Sequence, residues 1–211
     1  MPEIIIQLII ILAVILFSMT LHEAMHGFVA YWLGDDTAQR EGRLTLNPLK
    51  HIDPFLTIIL PLGLALLGGP VFGGAKPVPF CPDKVRGGEW GSALVAIGGP
   101  LTNLLLAFIS YGVWAIGGAP STGLFALICN LSVSVNLGFF LFNIIPLPPL
   151  DGSRVLYAFA PDFVRTGMRF IEQYGLIFVF IFVFLGQSLL TSYFTETSSF
   201  FLSLFHAIFR V

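Results

Sequence analysis

The chain has 211 residues, of which 56% are hydrophobic and only 10% are charged, and its mean hydropathy is +0.90. Because an ordinary soluble domain carries roughly 25% charged residues, this composition indicates a membrane-embedded protein, and the length suits one domain over residues 1–211. The net charge of −2, without a basic run, gives no electrostatic basis for a nucleic-acid partner. Cys81 and Cys129 form no CxxC pair, so we expect two buried thiols rather than a disulfide framework or a cysteine metal site.

The first apolar stretch covers residues 4–33, which exceeds the roughly 20 residues that a transmembrane helix needs. Glu3 stands where a signal peptide would carry basic residues, and no small-residue cleavage pattern follows, so we expect the stretch to remain as a span. It contains an H-E-x-x-H pattern at residues 22–26. Charged groups at the centre of a membrane helix cost roughly 2.5 to 3.5 kcal/mol each and by default indicate a functional site that faces the protein interior.

The H-E-x-x-H pattern predicts a zinc site. His22 and His26 are four residues apart and therefore lie on nearly the same face of a helix, where both rings can reach one ion. Glu23 projects beside them and is the expected general base, which accepts a proton from the attacking water and passes it to the leaving amine. The alternative, histidines that only pack or hydrogen-bond between helices, is a poor explanation for this pattern within a membrane.

The apolar stretch over residues 55–67 is short and contains Pro61 and Gly63, which favours a re-entrant element over a straight span. Positive charge supports this choice, because a segment that dips and returns puts nine of the basic residues on one side of the membrane. They are Arg40, Arg43, Lys50, Lys76, Lys84, Arg86, Arg154, Arg165 and Arg169. We therefore expect an outside N-terminus and an active site toward the cytoplasmic side.

Two stretches beside the re-entrant element, residues 42–48 and 75–80, resemble short strands of a hairpin-like element. Plain loops explain them equally well. Either stretch is a candidate to pair with an unwound substrate by strand addition. His51 and Asp53 form a polar turn at the membrane interface or serve in gating.

Later apolar stretches predict spans over residues 91–116, 124–145 and 174–190. Residues 200–209 are apolar but short and form either an interfacial helix or part of a final hairpin, after a loop over residues 191–199. Thr102 and Asn103 are expected to bond neighbouring helices. The fold class is therefore an all-α polytopic membrane protein with about four to six transmembrane helices, a catalytic core over about 4–160 and C-terminal helices over about 173–209.

A catalytic zinc ion takes a third protein ligand and keeps one open position. The stretch over residues 143–152 interrupts a membrane helix with three prolines and then supplies Asp151, and irregular backbone at membrane depth must face the protein interior or a wet cavity. Asp151 therefore suits the third position, although it also suits the N-cap of a following helix. Asn143 is placed to donate to a developing oxyanion or to cap its own helix.

The chain resembles the site-2 protease family of intramembrane zinc metalloproteases. The resemblance rests on H-E-A-M-H, on G-G-P-L-T-N at residues 98–103 and on N-I-I-P-L-P-P-L-D-G at residues 143–152. It implies a short form without PDZ or CBS domains and one catalytic zinc ion held by His22, His26 and Asp151. It also implies that Glu23 is the catalytic base and that Asn143 contacts the substrate backbone or the oxyanion.

The predicted function is intramembrane endopeptidase activity on the transmembrane segments of other proteins, in a multi-pass protein of the cell membrane whose partners are its substrates and the lipid bilayer. One rival is a metal-ion or proton transporter, which requires ionisable groups on several spans. The stretches over residues 91–116 and 174–190 offer none except tyrosines. A second rival is a silent membrane scaffold, which would have no need of Glu23.

Overall fold

The computed structural model describes residues 2–66 and 73–211, and within these residues it contains helices and no strand. Three helices are long and apolar enough to cross a membrane, over Ile5–Trp32, Gly88–Ile116 and Leu124–Asn143, which confirms a polytopic membrane fold. The helices are α1 Pro2–Trp32, α2 Thr37–Arg40, α3 Leu60–Leu66, α4 Gly88–Ile116, α5 Leu124–Asn143, α6 Gly152–Phe159, α7 Asp162–Gln173, α8 Gly175–Leu185 and α9 Gln187–Phe209.

Helix α4 lies between α1 and α5 and contacts both of them. Small residues permit this close packing, as is usual between helices in a membrane. A Cβ atom at Gly98 would lie 3.0 Å from Val29 of α1, and Ala107 is completely buried against α5 and α9. The α1–α4–α5 layer therefore forms the core that carries the H-E-x-x-H pattern.

The C-terminal region differs from the prediction. The expected span over residues 174–190 is interrupted at Gly186, where a Cβ atom would lie 2.5 Å from the Phe182 carbonyl oxygen. The resulting α8 has 11 residues, too few to cross a bilayer, and it meets α7 at a bend of 89°. The expected loop over residues 191–199 is wrong, because these residues belong to the continuous helix α9.

Helix α9 packs against both α4 and α5. The Tyr193 hydroxyl donates to the Leu141 carbonyl at 3.1 Å, close to the end of α5, while the Phe209 ring packs on Gly112 near the end of α4. Phe205 is buried between these two contacts, with 3% of its surface exposed. The apolar residues 200–209 are therefore the second half of a helix that returns across the bundle.

The segment after α1 has its two ends close together, as a re-entrant element requires. It begins with a π-helical turn, Pro54–Ile59, whose first N–H groups donate to the Asp53 carboxylate, and it continues as α3. The chain comes back beside its own start, because the Gly74 N–H donates to the Leu56 carbonyl at 3.1 Å. The side chain of Thr57 adds a bond to the Gly74 carbonyl at 2.7 Å. Residue 67, the last of the predicted segment, lies outside the described residues.

Residues 73–81 form a segment without helix or strand, here named the strap, that crosses the surface of α1. Its anchors are the Lys76 N–H, which donates to the His51 carbonyl at 2.9 Å, and the Cys81 N–H, which donates to the Asp35 carboxylate. The Arg43 guanidinium donates to the Lys76 carbonyl at 2.8 Å and also to that of the following residue. The strap and residues 42–48 are loops rather than strands, the alternative that the sequence left open.

Candidate metal centre

Three side chains from two separate regions converge beside α4. The Asp151 Oδ2 atom lies 3.2 Å from His22 Nε2 and 3.5 Å from His26 Nε2, and the two Nε2 atoms are 3.1 Å apart. A tetrahedral zinc ion with bonds of 2.0 to 2.1 Å separates its ligand atoms by about 3.3 to 3.4 Å. The three atoms therefore already have the spacing of three corners of a zinc tetrahedron.

The hydrogen bonds behind the histidines show which ring atoms face the centre. His26 Nδ1 lies 2.8 Å from the Val95 carbonyl, which can only accept, so Nδ1 carries the proton and Nε2 of the neutral ring offers a lone pair. His22 Nδ1 lies 2.6 Å from Asn103 Oδ1. Asp151 Oδ2 is buried and has no hydrogen-bond partner among the described residues. When both rings are neutral and carry their proton on Nδ1, three electron-rich atoms face one another without a donor, which is unfavourable unless a cation binds between them. Two imidazoles and a carboxylate are a donor set that suits zinc.

Gly99 allows α4 to pass directly against the two histidines. A Cβ atom at this position would lie 2.5 Å from His26 Nε2 and 2.7 Å from His22 Cε1, closer than real contacts permit. The second glycine of the G-G-P sequence therefore shapes the centre, although it contributes no ligand.

Asp151 reaches the centre because the broken end of α5 folds back tightly. A Cβ atom at Gly152 would lie 2.1 Å from the Ile144 carbonyl oxygen, so only glycine permits this approach. Asp151 occupies the N-cap position of α6, but its side chain makes no capping hydrogen bond. Its carboxylate is directed to His22 and His26 instead, which favours the ligand role over the cap.

Glu23 is half-buried and is not a member of the cluster of possible ligands. Its Oε2 atom accepts the Val78 N–H of the strap at 3.0 Å. Val78 also packs on α1, where a Cβ atom at Gly27 would lie 3.0 Å from Val78 Cγ1. The strap therefore lies over Glu23, and its backbone donates a hydrogen bond to one of the two carboxylate oxygens.

Asn143 is at the end of α5, and its Nδ2 donates to the Phe139 carbonyl at 3.0 Å. This bond within its own helix is the alternative that the sequence left open, and the predicted substrate contact stays a prediction. Asn103, expected to bond neighbouring helices, also contacts His22. Asn103 follows Gly99 by four residues and so shares its helix face, but the sequence alone does not indicate that this face meets the histidines.

The remaining candidates lie away from the ligand cluster. His51 is completely buried, with Nε2 2.9 Å from the Thr45 carbonyl, and Asp53 caps the π-helical turn. Asp53 is therefore explained by its capping role, whereas His51 has a partner for Nε2 but none for its buried Nδ1 among the described residues.

Both thiols are free, but only Cys129 is buried, whereas Cys81 is half-buried. The expectation of two buried thiols is therefore half right.

The chain is similar to proteins that are named as metalloproteases. It is 41% identical over 221 residues to "Putative zinc metalloprotease YwhC" of Bacillus subtilis, an alignment that covers 100% of this chain and 94% of the relative. It is 31% identical over 178 residues to "Putative zinc metalloprotease Rip2" of Mycolicibacterium smegmatis, with 82% of this chain and 66% of the relative covered. The Rip2 protein of Mycobacterium tuberculosis is 28% identical over 177 residues, with the same coverage. No family model and no solved structure matches the chain.

Proposed function

Because this chain belongs to the family of zinc metalloproteases that includes YwhC, we propose that it is an intramembrane zinc endopeptidase of the site-2 protease type. Its substrates are other membrane proteins, cleaved within or near their transmembrane segments. The observation that carries the proposal is the convergence of three possible zinc ligands. His22 and His26 lie on a helix that is long enough to span the membrane, and Asp151 comes to them from the segment before α6.

The three ligands would hold one zinc ion, which when bound activates a water molecule for attack on the peptide carbonyl. Glu23 would accept the proton of the attacking water and deliver it to the leaving amine. The Val78 N–H occupies Oε2 of this glutamate, which leaves Oε1 to carry the proton. Asn143 donates one N–H of its side-chain amide to its own helix. Its side-chain oxygen and its second N–H would bind the substrate backbone or the oxyanion.

The distribution of basic residues supports a cytoplasmic active site. Since the re-entrant segment returns beside its start, the six basic residues between α1 and α4 stay at one end of the bundle. Helix α6 lies at the same end, because the ring of Phe159, its last residue, is 4.4 Å from the ring of Trp90 near the start of α4. Helix α7, which carries two further arginines, follows directly after α6. The tenth basic residue, Arg210, lies near the opposite end, because the preceding residue, Phe209, packs on Gly112 close to the end of α4. The positive-inside rule then orients the ligand end to the cytoplasm.

The strap is the element that we assign to substrate pairing. A helical substrate must unwind before its peptide carbonyl is accessible, and an extended segment offers its free backbone groups to the unwound part. The Val78 carbonyl and both backbone groups of Phe80 have no partner among the described residues. These groups follow directly after the contact with Glu23, so a strand paired there would lie beside the base.

The test uses the purified full chain in lipid vesicles with a panel of single-span membrane substrates. We expect Glu23→Gln to retain zinc and to lose about 100-fold or more of the cleavage rate, since general base catalysis contributes that much. Asp151→Ala should lose both zinc and cleavage. Equal cleavage by the wild type and Glu23→Gln would overturn the role of Glu23, and native zinc content in Asp151→Ala would exclude the third ligand.

A further inference from the structure

A series of hydrogen bonds through two buried amide side chains, here named the amide relay, begins at His22. Asn103 Oδ1 lies 2.6 Å from His22 Nδ1, and Asn103 Nδ2 donates to Asn136 Oδ1 at 3.0 Å. Asn136 Nδ2 in turn donates to the Ser132 carbonyl at 2.8 Å. Asn103 and Asn136 are 0% and 1% exposed, so water does not compete for these bonds. The amide relay links α1, α4 and α5 at the depth of the proposed zinc site.

The direction of every hydrogen bond in the amide relay follows from its last acceptor, the Ser132 carbonyl. The Ser132 carbonyl can only accept, so Asn136 presents its NH2 group there and turns its oxygen toward Asn103. Asn103 must then donate with Nδ2, which also lies 3.5 Å from the Ser18 carbonyl, and must accept with Oδ1. His22 Nδ1 therefore carries a proton, and its Nε2 faces Asp151 with a lone pair.

Contact between helices alone does not require these two amides. Ser110 and Ser132 already join α4 to α5 through their hydroxyls at 2.7 Å, and this pair does not reach the histidines. His26 Nδ1 donates its corresponding bond to the backbone carbonyl of Val95, whereas His22 Nδ1 donates to a side chain, that of Asn103. In metal sites, such a partner on the second ring nitrogen fixes the tautomer and the ring orientation.

We propose that Asn103 and Asn136 are positioning residues that hold His22 in the Nδ1-protonated form, with Nε2 directed to the metal. The proposal rests on the proposed zinc site and extends it. Asn103 acts directly on the ring, and Asn136 acts by preventing the Asn103 amide from turning over and presenting its NH2 group to His22.

The experiment measures zinc affinity by competition with a chelator, on the full chain in detergent. We expect Asn103→Leu to weaken zinc binding about 10- to 100-fold, as for other residues that support a metal-bound histidine. Asn136→Leu should weaken it by a smaller factor. Ser110→Ala is the matched control and should bind zinc normally. The visible absorption of the cobalt-substituted protein should shift in Asn103→Leu alone among these.

Wild-type zinc affinity in both leucine variants would overturn the proposal. If the leucine variants fail to fold, nitrogen NMR of the zinc-loaded wild type with labelled histidine decides, because a proton on Nε2 of His22 would equally overturn it. Failure of the proposed function looks different, since the wild type itself would then bind no zinc or cleave no substrate.

Discussion

Replacing Gly99 with alanine tests whether the close approach of α4 shapes the metal centre. The added methyl group would lie 2.5 Å from His26 Nε2 and 2.7 Å from His22 Cε1. Ordinary contacts between such atoms are at about 3.5 Å or more, so a ring must move by about 1 Å. Zinc ligands tolerate displacements of only about 0.2 Å. Overpacking of this kind costs roughly 1 to 3 kcal/mol, which corresponds to about a 5- to 150-fold loss of zinc affinity if the histidines give way.

The assay is chelator competition for zinc on Gly99→Ala and on a control, Gly138→Ala. Gly138 is in the interior of α5, and a Cβ atom there would meet no heavy atom within 4 Å. The control has the same change of residue type in a membrane helix and should bind zinc as the wild type does. If Gly99→Ala binds zinc within twofold of the wild type, the reasoning about the glycine is wrong.

Two further predictions concern the strap. Phe80→Pro removes an N–H that has no partner among the described residues, whereas Phe80→Ala keeps this N–H. We therefore expect about 2- to 10-fold slower cleavage by the proline variant than by the alanine variant, at equal zinc content. Equal rates would argue against substrate pairing at this residue. Burial raises the pKa of Asp35, but hydrogen bonds from Thr37 and the Cys81 N–H lower it below its usual value of 3.8. Its stabilisation is then present above about pH 4 and lost as the pH falls through the lowered pKa. Asp35→Asn should lower the melting temperature at pH 7, and a gap from wild type that persists unchanged at pH 3 would contradict this.

The convergence of the three predicted ligands follows from local rules, which is why the sequence was sufficient to bring them together. The spacing of His22 and His26 places both rings on one face of any helix. Asp151 followed from the three prolines that precede it, since an interrupted membrane helix must turn inward. The role of Asn103 depends on which helix lies opposite, and no local rule supplies that.

The C-terminal helix was missed for a different reason. Residues 191–199 are rich in serine and threonine, which favours a loop when hydropathy is considered alone. In a helix, however, such hydroxyls bond to their own backbone, as Thr191 does with the Gln187 carbonyl at 2.8 Å. The polar groups are then satisfied within α9. The interruption at Gly186 gave the opposite error. Residues 174–190 are apolar on average, and average hydropathy does not show where one helix ends and the next begins.

Under the proposed function, the strap lies beside the general base of a protease, so its own peptide bonds must escape cleavage. The peptide bonds before Pro77 and Pro79 are proline imides, whose nitrogen has no hydrogen to donate to an incoming strand. The bond between Pro77 and Val78 has its carbonyl bonded by Arg43 and its N–H bonded by Glu23. None of these three linkages therefore has a free N–H with which to pair as a substrate strand does, and we expect this part of the strap to resist self-cleavage.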